Sequence, residues 1–154
     1  MGDTPPVCDY EESDYRDRFW GGGSRDYEDC TERIALRRLL PSRGRRVAHL
    51  GAGFGRMTNE LQGYEQVIVL DYSRTMLRDA QARLGIEGRY IYVAADIYHL
   101  PLADGSCDAA VMERVIHHMA YVCAALRQIR AVLAPGALFV LEYANKRHGE
   151  AVLR

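Results

Sequence analysis

A short apolar segment that runs directly into three closely spaced glycines limits the fold of this chain more than any other feature. Residues 46–50 are predicted to form a strand, and Gly51-Ala52-Gly53-Phe54-Gly55 follows at once. Glycine tolerates the positive φ angles of a tight turn and allows a ligand to approach the backbone closely. Residues 56–62 are predicted to form a helix, whose N-terminus would offer free N–H groups. Strand, glycine turn and helix together indicate the start of a βαβ unit.

The rest of the chain alternates between strand and helix patterns. The unbroken apolar run Val67–Leu70 is typical of a parallel strand covered on both faces. Asp26 and Ser73 are expected to cap helices, and Pro41 and Pro135 to stop them. Further strands are expected at 90–94, 108–112 and 136–143, and helices at 27–40, 73–85 and 122–133. The alternation predicts an α/β fold: a doubly wound, Rossmann-like parallel sheet of about five strands, with helices on both faces and an N-terminal helical arm.

Composition and charge exclude several classes of function. The chain has 154 residues, 48% of them apolar, and a net charge of −1, so it predicts one globular domain without a field that attracts nucleic acid. No apolar stretch approaches the ~18 residues of a membrane span, and no leader segment is recognised. The cysteines form no CxxC pair and have no close histidine, so we expect reduced thiols, no metal site and a cytoplasmic location. They are Cys8, Cys30, Cys107 and Cys123.

Two acidic residues follow predicted strands at the edge where the glycine turn lies. Asp71 ends the second strand, about 20 residues beyond Gly51, where a carboxylate can accept both hydroxyls of a ribose. Its alternative role is to cap the next helix, although Ser73 already supplies a capping oxygen. Asp96 follows the third strand and could accept the exocyclic amine of an adenine. The glycine spacing is GxGxG rather than GxGxxG, which disfavours an NAD-dependent oxidoreductase.

The ordered set of motifs resembles the class I S-adenosylmethionine-dependent methyltransferases, in the branch of small-molecule and ubiquinone-type C-methyltransferases. The resemblance covers about residues 46–143, and the joint pattern is far more specific than any one part. Its parts are Gly51-Ala52-Gly53-Phe54-Gly55-Arg56, Leu70-Asp71-Tyr72-Ser73-x-x-Met76-Leu77, Ala95-Asp96-x-x-x-Leu100-Pro101-Leu102-x-Asp104-x-x-x-Asp108 and Leu133-Ala134-Pro135-Gly136-Ala137-Leu138.

The resemblance implies S-adenosylmethionine as cofactor and a role for each matching residue. The glycine turn would lie against the methionine portion of the cofactor, Asp71 would bind the ribose, and Tyr72 and Met76 would pack on the adenine. Asp96 would accept the adenine amine while Ile97 donates its backbone N–H, and Glu113 would line the methionine and substrate end. The implied cofactor-binding residues are Gly51, Ala52, Gly53, Gly55, Asp71, Tyr72, Met76, Asp96, Ile97 and Glu113.

Methyl transfer mainly requires that the acceptor be held in line with the methyl group, so a catalytic base is optional. His117 and His118, after the fourth strand, could remove a proton from the acceptor. Alternatively, one of them caps or packs on the following helix. His49, inside the first strand, is expected to be a satisfied core histidine, and His99 a surface residue.

Residues 1–24 form a predicted arm ahead of the domain at 25–154. The arm carries aromatic residues that could close over the ligands as a lid, with Arg25 reaching the cofactor carboxylate, or could pack on the sheet as a latch. These aromatic residues are Tyr10, Tyr15, Phe19 and Trp20. The arginines between positions 37 and 46 are expected to be a solvated face rather than an RNA site.

The family resembled normally continues with a further helix and two strands, which the sequence lacks. Strand five would then expose an edge, with Phe139 or Leu141 facing solvent, and we expect copies to associate as a homodimer through it. In the competing expectation, residues 144–154 fold back over one face.

The expected function is S-adenosylmethionine-dependent methyl transfer to a small-molecule acceptor. The alternative is a non-catalytic cofactor-binding or interaction module that retains the methyltransferase fold.

Overall fold

A computed structural model describes residues 25–86 and 88–143. The predicted arm at 1–24, Cys8 and the proposed fold-back of 144–154 lie outside the described residues. The helices are α1 (Asp26–Leu39), α2 (Arg74–Leu84) and α3 (Val122–Val132). The strands are β1 (Gly44–Leu50), β2 (Tyr64–Asp71), β3 (Tyr90–Ala94), β4 (Cys107–Glu113) and β5 (Leu133–Glu142).

The strands form one parallel sheet in the order β3-β2-β1-β4-β5. β1 is central, and the chain builds outward from it to β3 before it crosses to β4 on the other side. The α/β architecture predicted from the sequence is confirmed, with each strand within a few residues of its expected place. Three short 3-10 turns complete the fold, at Thr58–Glu60, Ile97–His99 and Ile116–His118.

Alternating side chains on the inner strands supply two separate cores. On one face, Val47, Val67 and Val111 pack with Leu36 of α1 and Leu77 of α2. On the opposite face, residues such as Leu50, Leu70 and Met112 pack with Ala125 and Ile129 of α3. Because both faces are buried, the sheet has helices on both sides, as expected.

The helix predicted at residues 56–62 is wrong. Residues 51–57 form turns, followed only by the 3-10 turn Thr58–Glu60. The segment is held by contacts with other elements: Arg56 pairs with Asp29 and Glu32 of α1, and Glu60 pairs with Arg33 and Arg37. The connection is largely irregular and buries Met57, Thr58 and Leu61.

Two helix boundaries also differ from the expectation. Arg25, not Asp26, is the N-cap of α1, and no side-chain hydrogen bond caps the helix. Asp26 lies instead in the first turn, where its charge favours the helix dipole. Pro135 falls inside β5, which follows α3 without a break. The strand accommodates Pro135, which has no backbone N–H, because Pro135 lies between Leu133 and Leu138, where the pairing with β4 is irregular.

β5 is an edge strand among the described residues, since it pairs only with β4. The prediction that Phe139 or Leu141 faces solvent is wrong: both are partly buried against the α3-side core, and Leu138 is the exposed residue, at 40%. Within the described ranges no helix is long and apolar enough to cross a membrane, and Cys30, Cys107 and Cys123 are free thiols.

Candidate active site

A small cavity lies where the chain changes direction across the sheet, between the carboxyl ends of β1 and β4. Ligands of open α/β sheets bind at this kind of switch point. The cavity encloses about 60 Å³, room for a few atoms and well below the roughly 300–1,000 Å³ of a whole ligand site. It is lined by His49, Gly51, Ala52, Gly53, Phe54, Arg56, Met57, Glu113 and Arg114.

The three glycines of the turn have different roles, although all have positive φ. A Cβ on Gly51 would meet Val115 at 2.3 Å, and one on Gly55 would meet Leu84 at 2.8 Å. Those two glycines therefore serve packing against neighbouring side chains. A Cβ on Gly53 would meet nothing within 4 Å. Gly53 is thus the position of the turn where bare backbone faces open space.

Asp71 fastens the turn to the second strand. Its Oδ2 accepts from the Gly53 N–H at 2.8 Å, and its Oδ1 accepts from the Ser73 N–H at 2.9 Å. Ser73 in turn caps α2 by accepting from the Met76 N–H. Burial raises the pKa of Asp71, and the hydrogen bonds from Ser73 and Gly53 oppose that shift. A carboxylate has about four acceptor positions, so lone pairs remain for a ligand.

The free N–H groups expected at this turn are not present as a set. The Ala52 N–H donates to the Leu70 carbonyl, the Gly55 N–H to the Ala52 carbonyl, and the Gly53 N–H to Asp71. These N–H groups therefore stabilise the conformation of the turn, and no α-helix begins directly after it to offer further free N–H groups to a ligand.

The residues expected at an adenine lie next to Asp71, with one difference. Asp71 pairs with Ala94 in the sheet, so Asp96 lies just beyond the neighbouring strand end. Asp96 accepts from the Tyr98 N–H at 2.9 Å and caps the turn that contains Ile97. Tyr72 is 47% exposed and available to a ligand, but Met76 is 3% exposed and lies inside the fold. The structure therefore does not place Met76 on the surface of the cleft.

Glu113 and His49 form a buried pair beside the turn. The Glu113 carboxylate accepts at Oε2 from His49 Nε2 at 2.7 Å, and His49 Nδ1 lies 2.9 Å from the Thr58 hydroxyl. His49 is 2% exposed and satisfied at both nitrogens, so the expectation of a core histidine is confirmed. Glu113 Oε1 is buried and has no hydrogen-bond partner among the described residues.

His117 and His118 lie on the 3-10 turn after β4, outside the cavity lining. They follow Val115, which packs against Gly51, and their ring centroids are 4.0 Å apart. Burial lowers the pKa of both rings, and His118 and Arg114 lower that of His117 further. Both rings are therefore neutral at pH 7 and able to accept a proton. His99 is a surface residue, as expected, and lies 3.7 Å from Asp96.

An ion-pair network that joins α1 to the cleft was not foreseen. Arg56 pairs with Asp29 and Glu32, and Arg114 pairs with Glu28 and Glu32. The signal in the sequence was the helical spacing of these acidic residues together with an arginine directly after the glycine turn.

Arg114 has a φ of +58°, which is rare for a residue other than glycine. Its backbone N–H donates to Glu142 Oε2 at 2.9 Å, and its side chain is held by α1. Arg25 pairs with Glu28 at 3.6 Å in this arrangement. The described residues contain no group of three potential metal ligands.

Comparison with known proteins finds similar domains. A family model described as a methyltransferase domain matches residues 48–141. A chloroplastic, uncharacterised methyltransferase of Arabidopsis thaliana is 34% identical over 89% of this chain and 41% of its own length. A demethylmenaquinone methyltransferase of Corynebacterium kroppenstedtii is 34% identical over 71% of this chain and 46% of its own.

A solved structure shows the same fold at similar identity. The S-adenosylmethionine-dependent methyltransferase of Mesorhizobium loti superposes with a TM-score of 0.62 and 36% identity, over 70% of this chain and 51% of its own. The chain thus spans less than half the length of the two curated relatives named here.

Proposed function

Since the chain belongs to the methyltransferase domain family, we propose that it binds S-adenosylmethionine and transfers its methyl group to a small-molecule acceptor. The observation that carries the proposal is that Gly53, Asp71 and Glu113 all lie at the carboxyl ends of the central strands, where the chain changes direction across the sheet. A bare backbone, a carboxylate with free lone pairs and an unpartnered carboxylate oxygen fit a cationic ligand that carries a ribose. When bound, the cofactor supplies an electrophilic methyl group on a sulfonium.

Different residues along the cleft would contact different parts of the cofactor. Asp71 would accept the ribose hydroxyls while it holds the turn, and Gly53 would let the ligand approach the backbone. Tyr72, Asp96 and Ile97 would lie at the adenine end, with buried Met76 supporting the cleft from inside the fold. Gly51, Ala52 and Gly55 would shape the turn, and Glu113 would lie at the methionine end.

The small size of the acceptor is supported by a relative whose name refers to demethylmenaquinone. His117 and His118, neutral at pH 7 and close to the glycine turn, would take a proton from the acceptor as it is attacked. The free thiols of the described cysteines support a reducing location such as the cytoplasm. We also propose association of copies at the outer edge of β5.

The test is calorimetric titration of the chain with S-adenosylhomocysteine and, separately, with NAD. Binding of the first and not the second is expected, and the reverse result would contradict the proposal. Transfer of a labelled methyl group to a panel of quinols and phenols then tests turnover. Tight cofactor binding without transfer to any small molecule would instead support a non-catalytic cofactor-binding module.

A further inference from the structure

A second cavity lies at the opposite edge of the sheet from the glycine turn, between the end of α1 and the amino ends of β1 and β2. This amino-end cavity has a volume of about 350 Å³, within the roughly 300–1,000 Å³ of small-molecule sites. It shares no lining residue with the cavity at the glycine turn. Its polar lining residues are Arg37, Ser42, Asn59, Glu60, Gln62 and Tyr64.

The lining includes a tyrosine whose hydroxyl has no partner. Tyr64 is 3% exposed, and its hydroxyl is buried without a hydrogen bond to any described residue. Burial and the charge of Asp108 raise the pKa of Tyr64, so the hydroxyl remains protonated at neutral pH and can donate. A buried donor that is left unpaired is unfavourable. The hydroxyl therefore indicates an acceptor atom that is supplied by a ligand.

Close backbone contacts give the amino-end cavity a fixed shape. A Cβ on Gly63 would lie 1.8 Å from the Ser42 carbonyl oxygen, so a side chain at this position would push the two segments apart. The Gly44 N–H donates to the Gly63 carbonyl at 3.1 Å. The Tyr64 ring lies over Gly44, where a Cβ would meet it at 2.4 Å. The walls of the cavity are therefore held in place before a ligand binds.

The charged side chains of the lining leave donors for a ligand rather than acceptors. Glu60 carries the one carboxylate among the lining residues, and its oxygens accept from Arg33 at 2.6 Å and from Arg37 Nε. The Nη1 and Nη2 groups of Arg37 have no hydrogen-bond partner in the described part of the chain. Positions 37–46 carry five arginines and no acidic residue, so the surroundings of the cavity favour an anion.

We propose that the amino-end cavity is a second ligand site, which binds a small phosphorylated molecule. The phosphate oxygens accept from the Nη groups of Arg37, because the guanidinium fork matches phosphate geometry. Another oxygen of the same molecule accepts from the Tyr64 hydroxyl, and Ser42 and Asn59 offer hydrogen bonds to its remaining polar groups. This site is separate from the proposed cofactor site and does not depend on methyl transfer.

The experiment uses glycerol 3-phosphate as the probe and glycerol as the matched molecule without an anion. Each is titrated into the full chain, and backbone amide shifts are followed by NMR. Glycerol 3-phosphate is expected to give saturable shifts at Ser42, Gln62 and Gly63 and none in the glycine turn at 51–55, and glycerol is expected to give none. The absence of saturable shifts at the cavity with glycerol 3-phosphate, or equal binding of glycerol, would overturn the proposal.

Two variants test the proposed contacts. Arg37→Gln should weaken glycerol 3-phosphate roughly 10- to 100-fold, as the loss of charge-assisted hydrogen bonds implies, and Tyr64→Phe roughly 3- to 10-fold. Arg38→Gln is the matched control, because Arg38 is exposed and does not line the cavity, and its affinity should stay within about twofold of wild type. Equal losses in R37Q and R38Q would show that the probe responds only to the general positive charge, and the proposal would fall.

Tyr64→Phe also separates ligand binding from a structural role. In the absence of ligand, the variant should be at least as stable as wild type to urea, because no hydrogen bond within the chain is lost. Tyr92→Phe is the control that loses one, since the Tyr92 hydroxyl donates to the Gly85 carbonyl, and it should be less stable. If Y64F is destabilised like Y92F and keeps the wild-type affinity for glycerol 3-phosphate, the Tyr64 hydroxyl serves the fold and the inference is overturned.

Discussion

The carboxylate of Asp71, at the end of β2, accepts a hydrogen bond from the Gly53 N–H, in the turn after β1, over 2.8 Å. One side chain thus shapes the turn and faces the proposed ligand. A substitution that removes the carboxylate affects both roles at once, because the Gly53 and Ser73 N–H groups lose their acceptor as well.

Asp71→Ala should therefore affect both folding and binding. The free energy of unfolding is expected to fall by about 1–3 kcal/mol, because buried donors lose their acceptor. The affinity for S-adenosylhomocysteine should fall roughly tenfold or more, since the acceptor of the ribose hydroxyls is lost. Urea denaturation and calorimetry measure the two effects. Asp104→Ala, at an exposed loop position, is the control, and binding by D71A within twofold of wild type would exclude Asp71 from the site.

Gly53→Ala should weaken binding more than its effect on folding would suggest. The φ of +54° makes alanine strained by about 1–2 kcal/mol, and the new methyl group would occupy the open space proposed for the ligand. Gly85→Ala is the matched control, since Gly85 also has positive φ and open surroundings but lies at the far end of α2. Thermal unfolding and calorimetry separate the effects. Equal binding losses in both variants would show that strain alone is responsible.

The ion pairs of Glu60 should make stability fall with acidification. Burial alone would raise the pKa of Glu60, but hydrogen bonds from Arg37 and Arg33 outweigh it and lower the pKa below 4.5. A lowered folded-state pKa gives stability that is present above pH 4.5 and is lost as the pH falls through the folded-state value. Glu60→Gln should cost about 1 kcal/mol at pH 7. Urea unfolding at pH 7 and pH 3 should show that difference shrinking, whereas Glu65→Gln, at an exposed site, should show none.

Replacement of His117 or His118 by asparagine should identify a proton acceptor. If one ring is the base, its variant should lose roughly 100- to 10,000-fold in methyl transfer while cofactor affinity stays within about twofold. Both rings have a lowered pKa, so the wild-type rate should fall only as the pH drops below 6.5. Rates from pH 5 to pH 8 test this. If the methyl-transfer rate of both variants still falls at low pH as in the wild type, neither ring is the base.

Leu138→Lys should disfavour association through β5. Leu138 is exposed on the edge strand, and a charged residue at an edge opposes pairing with another chain. Sedimentation at several concentrations should show wild-type dimers and a monomeric variant. Ile86→Lys replaces an exposed apolar residue away from this edge and should still dimerise. A wild-type chain that stays monomeric at high concentration would refute the edge interaction.

The sheet could be predicted because each inner strand carries its own signal in sequence. The run Val67–Leu70 is apolar at every position because both faces are covered, and Ser73 and Gly85 mark the ends of α2. The helix predicted after Gly55 failed for a reason that lies outside that segment. Arg56 and Glu60 of the segment pair with residues of α1, and local helix propensity carries no information about these contacts.

In the site, too, features set by a residue's own segment could be predicted, whereas features set by contacts with distant segments could not. Asp71 and Gly53 could be placed because strand ends and glycine turns are local patterns. The unpartnered oxygen of Glu113 depends on His49, which lies 64 residues earlier. Phe139 and Leu141 were expected to face solvent because no later strand pairs with β5, but the packing of both residues against the core on the α3 side cannot be seen in their own segment. Met76 was expected to pack on the adenine from the family resemblance, whereas its side chain is 3% exposed and lies inside the fold.

The corner at Arg114 has a consequence for the order in which the molecule assembles. Its side chain is held by Glu32, 82 residues earlier, and its backbone by Glu142, 28 residues later. Long-range closure is slow because the chain entropy is lost before the contact forms. On the ribosome, α1 emerges early but cannot meet Arg114 until β4 is complete. The pairing of β1 with β2 and of β2 with β3 can therefore form while the rim of the cleft is still open, and the rim is complete only after β5 has been made.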